Sequence, residues 1–269
     1  MPSDLPGVPA GPGADQGAGS AGSAAWPAWR LWEPLAGICI LAFSQLVLGL
    51  GLGIALRRYV AGGAGVRIEL ALPVVVVGSH AATWAAIGWI IRRHGLRFRR
   101  ALALDAAPTA RLLRPYLAGI ALYFVLLPLL ALFPPPPDET SLFTEIFHRG
   151  GPALAVLLVT AVLLAPALEE ALFRGLLLPA ARRGLRPWPA AVAVTLVFTA
   201  LHVTQVGDYW PALAGIFACG LALARLKETT GSLWPSIAFH MGFNSTPFLV
   251  WLAVQPFGGL KDGPLAQLM

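Results

Sequence analysis

The chain has 269 residues, of which 57% are hydrophobic and 12% charged, and its mean hydropathy is +0.71. A soluble domain carries about a quarter charged residues, so a water-soluble enzyme with a simple anchor is excluded and a bilayer is the expected solvent. The net charge of +6 and pI of ≈ 10.0 do not indicate nucleic acid, because the basic residues cluster between apolar runs, where membrane topology accounts for them.

The chain opens with MPSDLPGVPAGPGADQGAGSAGSAA, which is too poor in large apolar residues to bury a core. Residues 1–30 are therefore expected to be a disordered N-terminal tail. No basic stretch precedes a short apolar core, so no cleavable signal peptide is expected and the first hydrophobic segment should stay as a span. Apolar segments follow near 34–56, 70–91, 115–133, 153–180, 189–203, 209–226 and 234–254. Each should be helical, because about 20 apolar residues cross the hydrocarbon and lipid offers no partner to free backbone groups. The fourth and sixth are interrupted or amphipathic, which leaves room for an eighth, short helix. The expected fold is an all-α polytopic transmembrane bundle of about seven or eight spans. The N-terminal membrane helices cover 31–135 and a second membrane block covers 150–255, with no internal repeat and no soluble second domain. Cys39 and Cys219 lie in apolar runs and are expected to be small buried hydrophobes, not a disulfide pair or metal ligands. In LKETTGSLWPSIAFH, 226–240, Gly231 and Pro235 mark a turn and the start of the last helix.

Three polar clusters interrupt these apolar runs. An ionisable side chain near the bilayer centre costs about 2.5–3.5 kcal/mol, so each cluster needs a reason. In LLAPALEEALFRG, 163–175, Glu170 and Arg174 are four residues apart, share a helix face, and can neutralise each other. Glu169 points about 100° away and lies about 18–20 Å of helix from Arg182. A structural ion pair explains Glu170 and Arg174 but leaves Glu169 unexplained. In VTLVFTALHV, 194–203, Phe198 sits one turn before His202. A lone intramembrane His is more often a packing residue than a catalyst. His240 and Asn244 share a face of the last span and alone would read as interhelical polar glue. Taken together they form a hydrolytic set. A carboxylate can take a proton from water, a His can help hold that water, and a second His and an Asn can donate to an oxyanion.

The ordered motifs EExxxR, FxxxH and HxxxN on successive membrane helices resemble the CPBP family of intramembrane proteases, which includes type II CAAX prenyl endopeptidases and bacteriocin-processing and immunity proteins. The resemblance covers about residues 150–250; the N-terminal 130 residues match only as generic apolar spans. It implies a glutamate-dependent endopeptidase with its site inside the bilayer, and a catalytic region over 150–255. Carried over, Glu169 would be the general base, His202 would assist on the water, and His240 and Asn244 would form the oxyanion site. Glu170, Arg174 and Phe198 would support them. Members are also described as metallopeptidases. Glu169, His202 and His240 would be the zinc set, but the chain has no HExxH and no close His pair, so no cofactor is expected. The implied partners are the lipid bilayer and a membrane-bound or lipidated protein or peptide substrate, with no nucleic acid. The implied setting is a multi-pass protein of a bacterial inner membrane. The alternative is a catalytically silent scaffold or immunity protein of the same family. A transporter would need paired halves with matching broken helices, which the sequence lacks. A rhomboid-like serine protease would need Ser79 and His80 to face each other, and adjacent residues on one helix point apart.

Orientation follows from loop charge. Segment 92–114 carries Arg92, Arg93, Arg97, Arg99, Arg100, Arg111 and Arg114 against Asp105, so it should be cytoplasmic. Segment 134–150 carries Asp138, Glu139 and Glu145 against Arg149 and fits the outer face. Arg182, Arg183, Arg186, Arg225 and Lys227 return to the inside, whereas Arg57, Arg58 and Arg67 would lie outside. The stronger 92–114 signal sets the topology. Cysteine labelling from outside intact cells checks it: position 139 is expected to react and position 105 to be protected, and the reverse would overturn the orientation.

Overall fold

A computed structural model describes residues 29–61, 68–105, 111–133, 151–207 and 209–254, and these are all-helical, without a strand. Residues 1–28 of the expected 1–30 tail, the outer loop 134–150 and Arg67 lie outside the described residues, whereas Trp29 is described and is buried in the main apolar cluster. Seven long helices cover the seven apolar segments. They are α1 (Trp32–Ala61), α2 (Ile68–Arg93), α4 (Leu113–Leu132), α5 (151–181), α6 (Pro187–Val206), α7 (Trp210–Thr230) and α8 (Trp234–Val254). The short eighth helix exists, but as α3 (Phe98–Ala101) in the basic 92–114 segment, not at the fourth or sixth span. Among the described residues, Leu113–Leu132, Leu154–Ala181 and Trp210–Thr230 are long and apolar enough to cross a membrane.

Local chemistry sets the helix ends. Proline fits the first turn, where its missing N–H costs nothing, and α6 opens on Pro187, α7 on Trp210-Pro211 and α8 on Trp234-Pro235. Helix α7 ends at Gly231, left-handed at φ 66°, whose N–H donates to the Lys227 carbonyl. At the other end of the bundle, Glu33 accepts from the Arg30 backbone N–H and contacts His94 Nε2 at 2.9 Å, which ties the start of α1 to the end of α2.

Helix α5 continues through its own interruptions. Its α-helical segments Gly151–Val159, Ala165–Glu170 and Leu178–Ala181 are joined by π-helical turns Thr160–Leu164 and Ala171–Leu177. Each π turn ends two residues before a proline. Ala165 N–H donates five residues back to Thr160, and Leu178 N–H five back to Phe173. Pro166 and Pro179 follow. A proline inside a helix has no N–H, and its ring crowds the carbonyl four residues earlier. The wider turn makes room without breaking the rod.

Helix α5 is also the centre of the bundle. It touches α1, α2, α6, α7 and α8, and residues 171–180 are buried throughout. Leu172, Phe173, Leu176 and Leu178 form the heart of the main apolar cluster. Cys219 is buried as expected, but Cys39 is exposed. The correction has a simple cause: α1 is peripheral, and its outward face carries exposed Ile40, Phe43, Leu46 and Val47 beside Cys39.

Helix α4 lies outside, on α8 and α7. Its crossing with α8 brings Gly119 against the Phe239 carbonyl, and Gly242 against the Tyr116 carbonyl, where an added Cβ would overlap the facing backbone. Small residues permit such an approach in place of a hydrophobic driving force between helices in lipid. Tyr116 and Ser245 hydroxyls meet at 2.9 Å beside it. Gly119→Ala and Gly242→Ala are each expected to destabilise by about 1–3 kcal/mol, the usual range for overpacking, and to lower the melting temperature in detergent. Gly184→Ala, whose Cβ meets nothing within 4 Å, should melt like the parent protein; equal melting of all three would refute the crossing.

Candidate active site

The two neighbouring glutamates of α5 have different surroundings. Glu170 and Arg174 are 0% exposed and paired at 3.0 Å from Oε1 to Nη1, as their spacing requires. Arg174 Nη2 also donates to the Gly220 carbonyl of α7 at 2.9 Å. Its guanidinium lies over the Phe198 ring of α6, 4.6 Å from the centroid. An added Cβ at Gly220 would come within 3.3 Å of Arg174 Nη2 and 3.4 Å of the Phe198 ring. Glu169 retains 20% exposure, and its Oε2 lies 3.8 Å from His240 Nε2.

His240 stands between both carboxylates. Its Nδ1 is 3.0 Å from Glu170 Oε1, so Nδ1 is the donor, since an ionised carboxylate only accepts. This contact adds to the sequence expectation, which grouped His240 with Glu169, His202 and Asn244 but not with Glu170. Glu170 now has two partners on one oxygen, while its Oε2 and Arg174 Nε are buried without a hydrogen bond.

His202 Nδ1 lies 2.8 Å from the Phe198 carbonyl one turn back on α6. A carbonyl only accepts, so Nδ1 carries the proton and Nε2 is left with a lone pair when the ring is neutral. Phe198 packs beside His202 as expected, with centroids 4.6 Å apart. It also meets the His240 ring at 5.9 Å. One aromatic ring thus touches Arg174, His202 and His240.

Asn244 is held by the first π turn of α5. The Ala161 carbonyl would normally receive Ala165 N–H, but that donor goes to Thr160, and the next nitrogen, Pro166, has no hydrogen. The freed carbonyl accepts Asn244 Nδ2 at 2.9 Å. The carboxamide keeps a second N–H.

Glu169, His202, His240 and Asn244 line one cavity of ≈ 360 Å³ between the helices, and Phe198 forms part of its wall. Glu170 and Arg174 lie behind that wall. Four more polar residues on it escaped the sequence reading: Gln45 of α1, His80 of α2, Thr160 of α5 and Gln205 of α6. His80 carried the same signal as His202, an ionisable residue inside an apolar run, and was weighed only as a partner for Ser79. Ser79 is fully buried and bonds to the Val76 carbonyl, so the two do point apart. Among the described residues there is no group of three or more His, Cys, Asp or Glu side chains placed to hold a metal ion.

Residues 151–246 match a family model described as "Type II CAAX prenyl endopeptidase Rce1-like". No curated protein and no solved structure is significantly similar to the chain. The matched segment begins with α5, ends in α8, and contains all three motifs. With the three long apolar helices, the match makes this an integral membrane protein. Residues 151–246, about a third of the chain, are thus similar to the Rce1-like type II CAAX prenyl endopeptidases.

Proposed function

We propose that the protein is an intramembrane endopeptidase that hydrolyses a peptide bond in a membrane-bound or lipidated protein or peptide, using water activated by Glu169. The observation that carries the reading is the single cavity shared by Glu169, His202, His240 and Asn244. A bacterial inner membrane is the proposed setting, on composition and loop charge alone.

In this mechanism Glu169, the partly exposed carboxylate, takes a proton from a water molecule. His202 Nε2, left as an acceptor by the Phe198 carbonyl, receives that water's other O–H. The hydroxide adds to the scissile carbonyl carbon, and the carbonyl oxygen gains the negative charge. Asn244 offers its second N–H to that oxygen, and a doubly protonated His240 offers Nε2–H. Oriented donors in a poorly hydrated site are strong contributors to such a step. The C–N bond then breaks, and the amine leaves with the proton that Glu169 held. Glu170 and Arg174 take no part in the chemistry. They fix His240 through its Nδ1.

The two glutamates separate this reading from a silent scaffold. Glu169→Gln keeps the shape and removes proton acceptance. Cleavage of a fluorescence-quenched farnesylated CAAX reporter peptide is expected to fall by about 100- to 10,000-fold, the usual value of a general base, with expression and melting temperature unchanged. Glu170→Gln leaves Arg174 as an uncompensated buried charge, which costs about 3–5 kcal/mol. It should lower abundance and melting temperature first and activity second. Full function of Glu169→Gln in cells would remove this carboxylate from the chemistry and favour the scaffold. A stable but inactive Glu170→Gln would assign the base to the other glutamate.

A further inference from the structure

His80 lies in α2, outside the matched segment and outside the residues assigned to the chemistry. Its Nδ1 is 2.8 Å from the Val76 carbonyl. That carbonyl can only accept, so Nδ1 carries the proton and Nε2 of the neutral ring bears a lone pair. Nε2 is buried and has no hydrogen-bond partner. An unpaired buried acceptor is costly and uncommon in native structures, and each instance calls for a donor from elsewhere. His80 lines the same cavity as Glu169 and His202. The wiring of His80 and His202 is the same: each ring is locked by the carbonyl four residues earlier on its own helix. Each therefore keeps Nε2 as an acceptor, one from α2 and one from α6.

Only one of these acceptors is needed to hold the attacking water. A peptide bound in the cavity brings a backbone N–H at nearly every residue. Away from water, each of those needs an acceptor. Gln45 of α1 and Gln205 of α6 line the same cavity, and their carboxamides supply both donors and acceptors.

We propose that His80 is a substrate-binding residue whose Nε2 accepts a hydrogen bond from a backbone N–H of the bound peptide. With Gln45 of α1 and Gln205 of α6 it forms a set of main-chain-binding groups in the cavity that α1 and α2 complete. The inference rests on the peptidase reading above, and it gives the N-terminal helices a part in substrate recognition.

The test uses the full chain in detergent and the farnesylated CAAX reporter peptide. Binding of the peptide to Glu169→Gln protein is measured by fluorescence anisotropy, and turnover by the otherwise unaltered protein by fluorescence release. His80→Phe keeps a ring and removes the acceptor; His80→Gln keeps an acceptor oxygen. His80→Phe is expected to raise Kd and KM about five- to tenfold, as loss of one hydrogen bond does, with kcat little changed, and His80→Gln to restore most of the loss. Unchanged Kd and KM in His80→Phe would overturn the proposal. So would a fall in kcat at constant KM, which would place His80 in the chemistry. A readout on the unmutated residue stands beside these in case His80→Phe folds poorly. With histidines labelled by nitrogen-15, saturating peptide should shift the His80 Nε2 resonance, and no shift would refute the contact. The two readings fail differently. Binding that depends on His80 without cleavage removes the peptidase and keeps the site; cleavage with a His80-independent KM does the reverse.

Discussion

The guanidinium of Arg174 has no exposed surface, and the bundle around it is apolar. A charge in such a place is tolerated only when it is paired and its hydrogens are largely used. Glu170 pairs with it from the same helix, the Gly220 carbonyl of α7 takes a second hydrogen, and the Phe198 ring of α6 covers its face. His240 of α8 then joins through Glu170. One buried cation therefore relates four helices, α5 to α8. Apolar packing specifies that these helices are buried together, but many rotations of a smooth apolar helix bury similar area. The directional contacts around Arg174 select one.

The division between the two glutamates follows from that selection. Successive residues on a helix point about 100° apart, so fixing Glu170 inward commits Glu169 to a different direction. It falls on the cavity wall with residual exposure. Neighbouring carboxylates thus acquire unlike surroundings with no further device. The inner one is held by two cationic or proton-donating partners. The outer one has room for a small molecule such as water beside it.

Much of this was legible in the sequence where the information is local. The seven long helices follow from apolar length, the Glu170–Arg174 pair from a spacing of four, and the turn at Gly231 from glycine and the following Pro235. Contacts between distant segments were not legible. Phe198 could be placed beside His202, but its contact with Arg174 and His240 depends on how α5, α6 and α8 meet. The Glu170–His240 hydrogen bond joins residues 70 apart, and no periodicity encodes it. Cys39 was misplaced because hydropathy reports that a segment is apolar and not which of its faces meets the bundle. His80 was visible as an ionisable group in an apolar run, but only the fold shows that α2 turns it toward the cavity.

Asn244 depends on the first π turn of α5, and that turn has a counting consequence. Five residues occupy a stretch of rod where an undistorted helix would place about four. The turn behaves as a helix with one residue inserted and then absorbed. Everything before Thr160 is out of phase, by the angle of one residue, with an undistorted helix drawn backward from Glu169. A heptad or helical-wheel projection of the whole of α5 therefore misassigns faces on one side of each π turn. Two similar chains aligned without gaps across Pro166 differ in which residue of α5 faces the cavity wherever only one of them carries the extra residue.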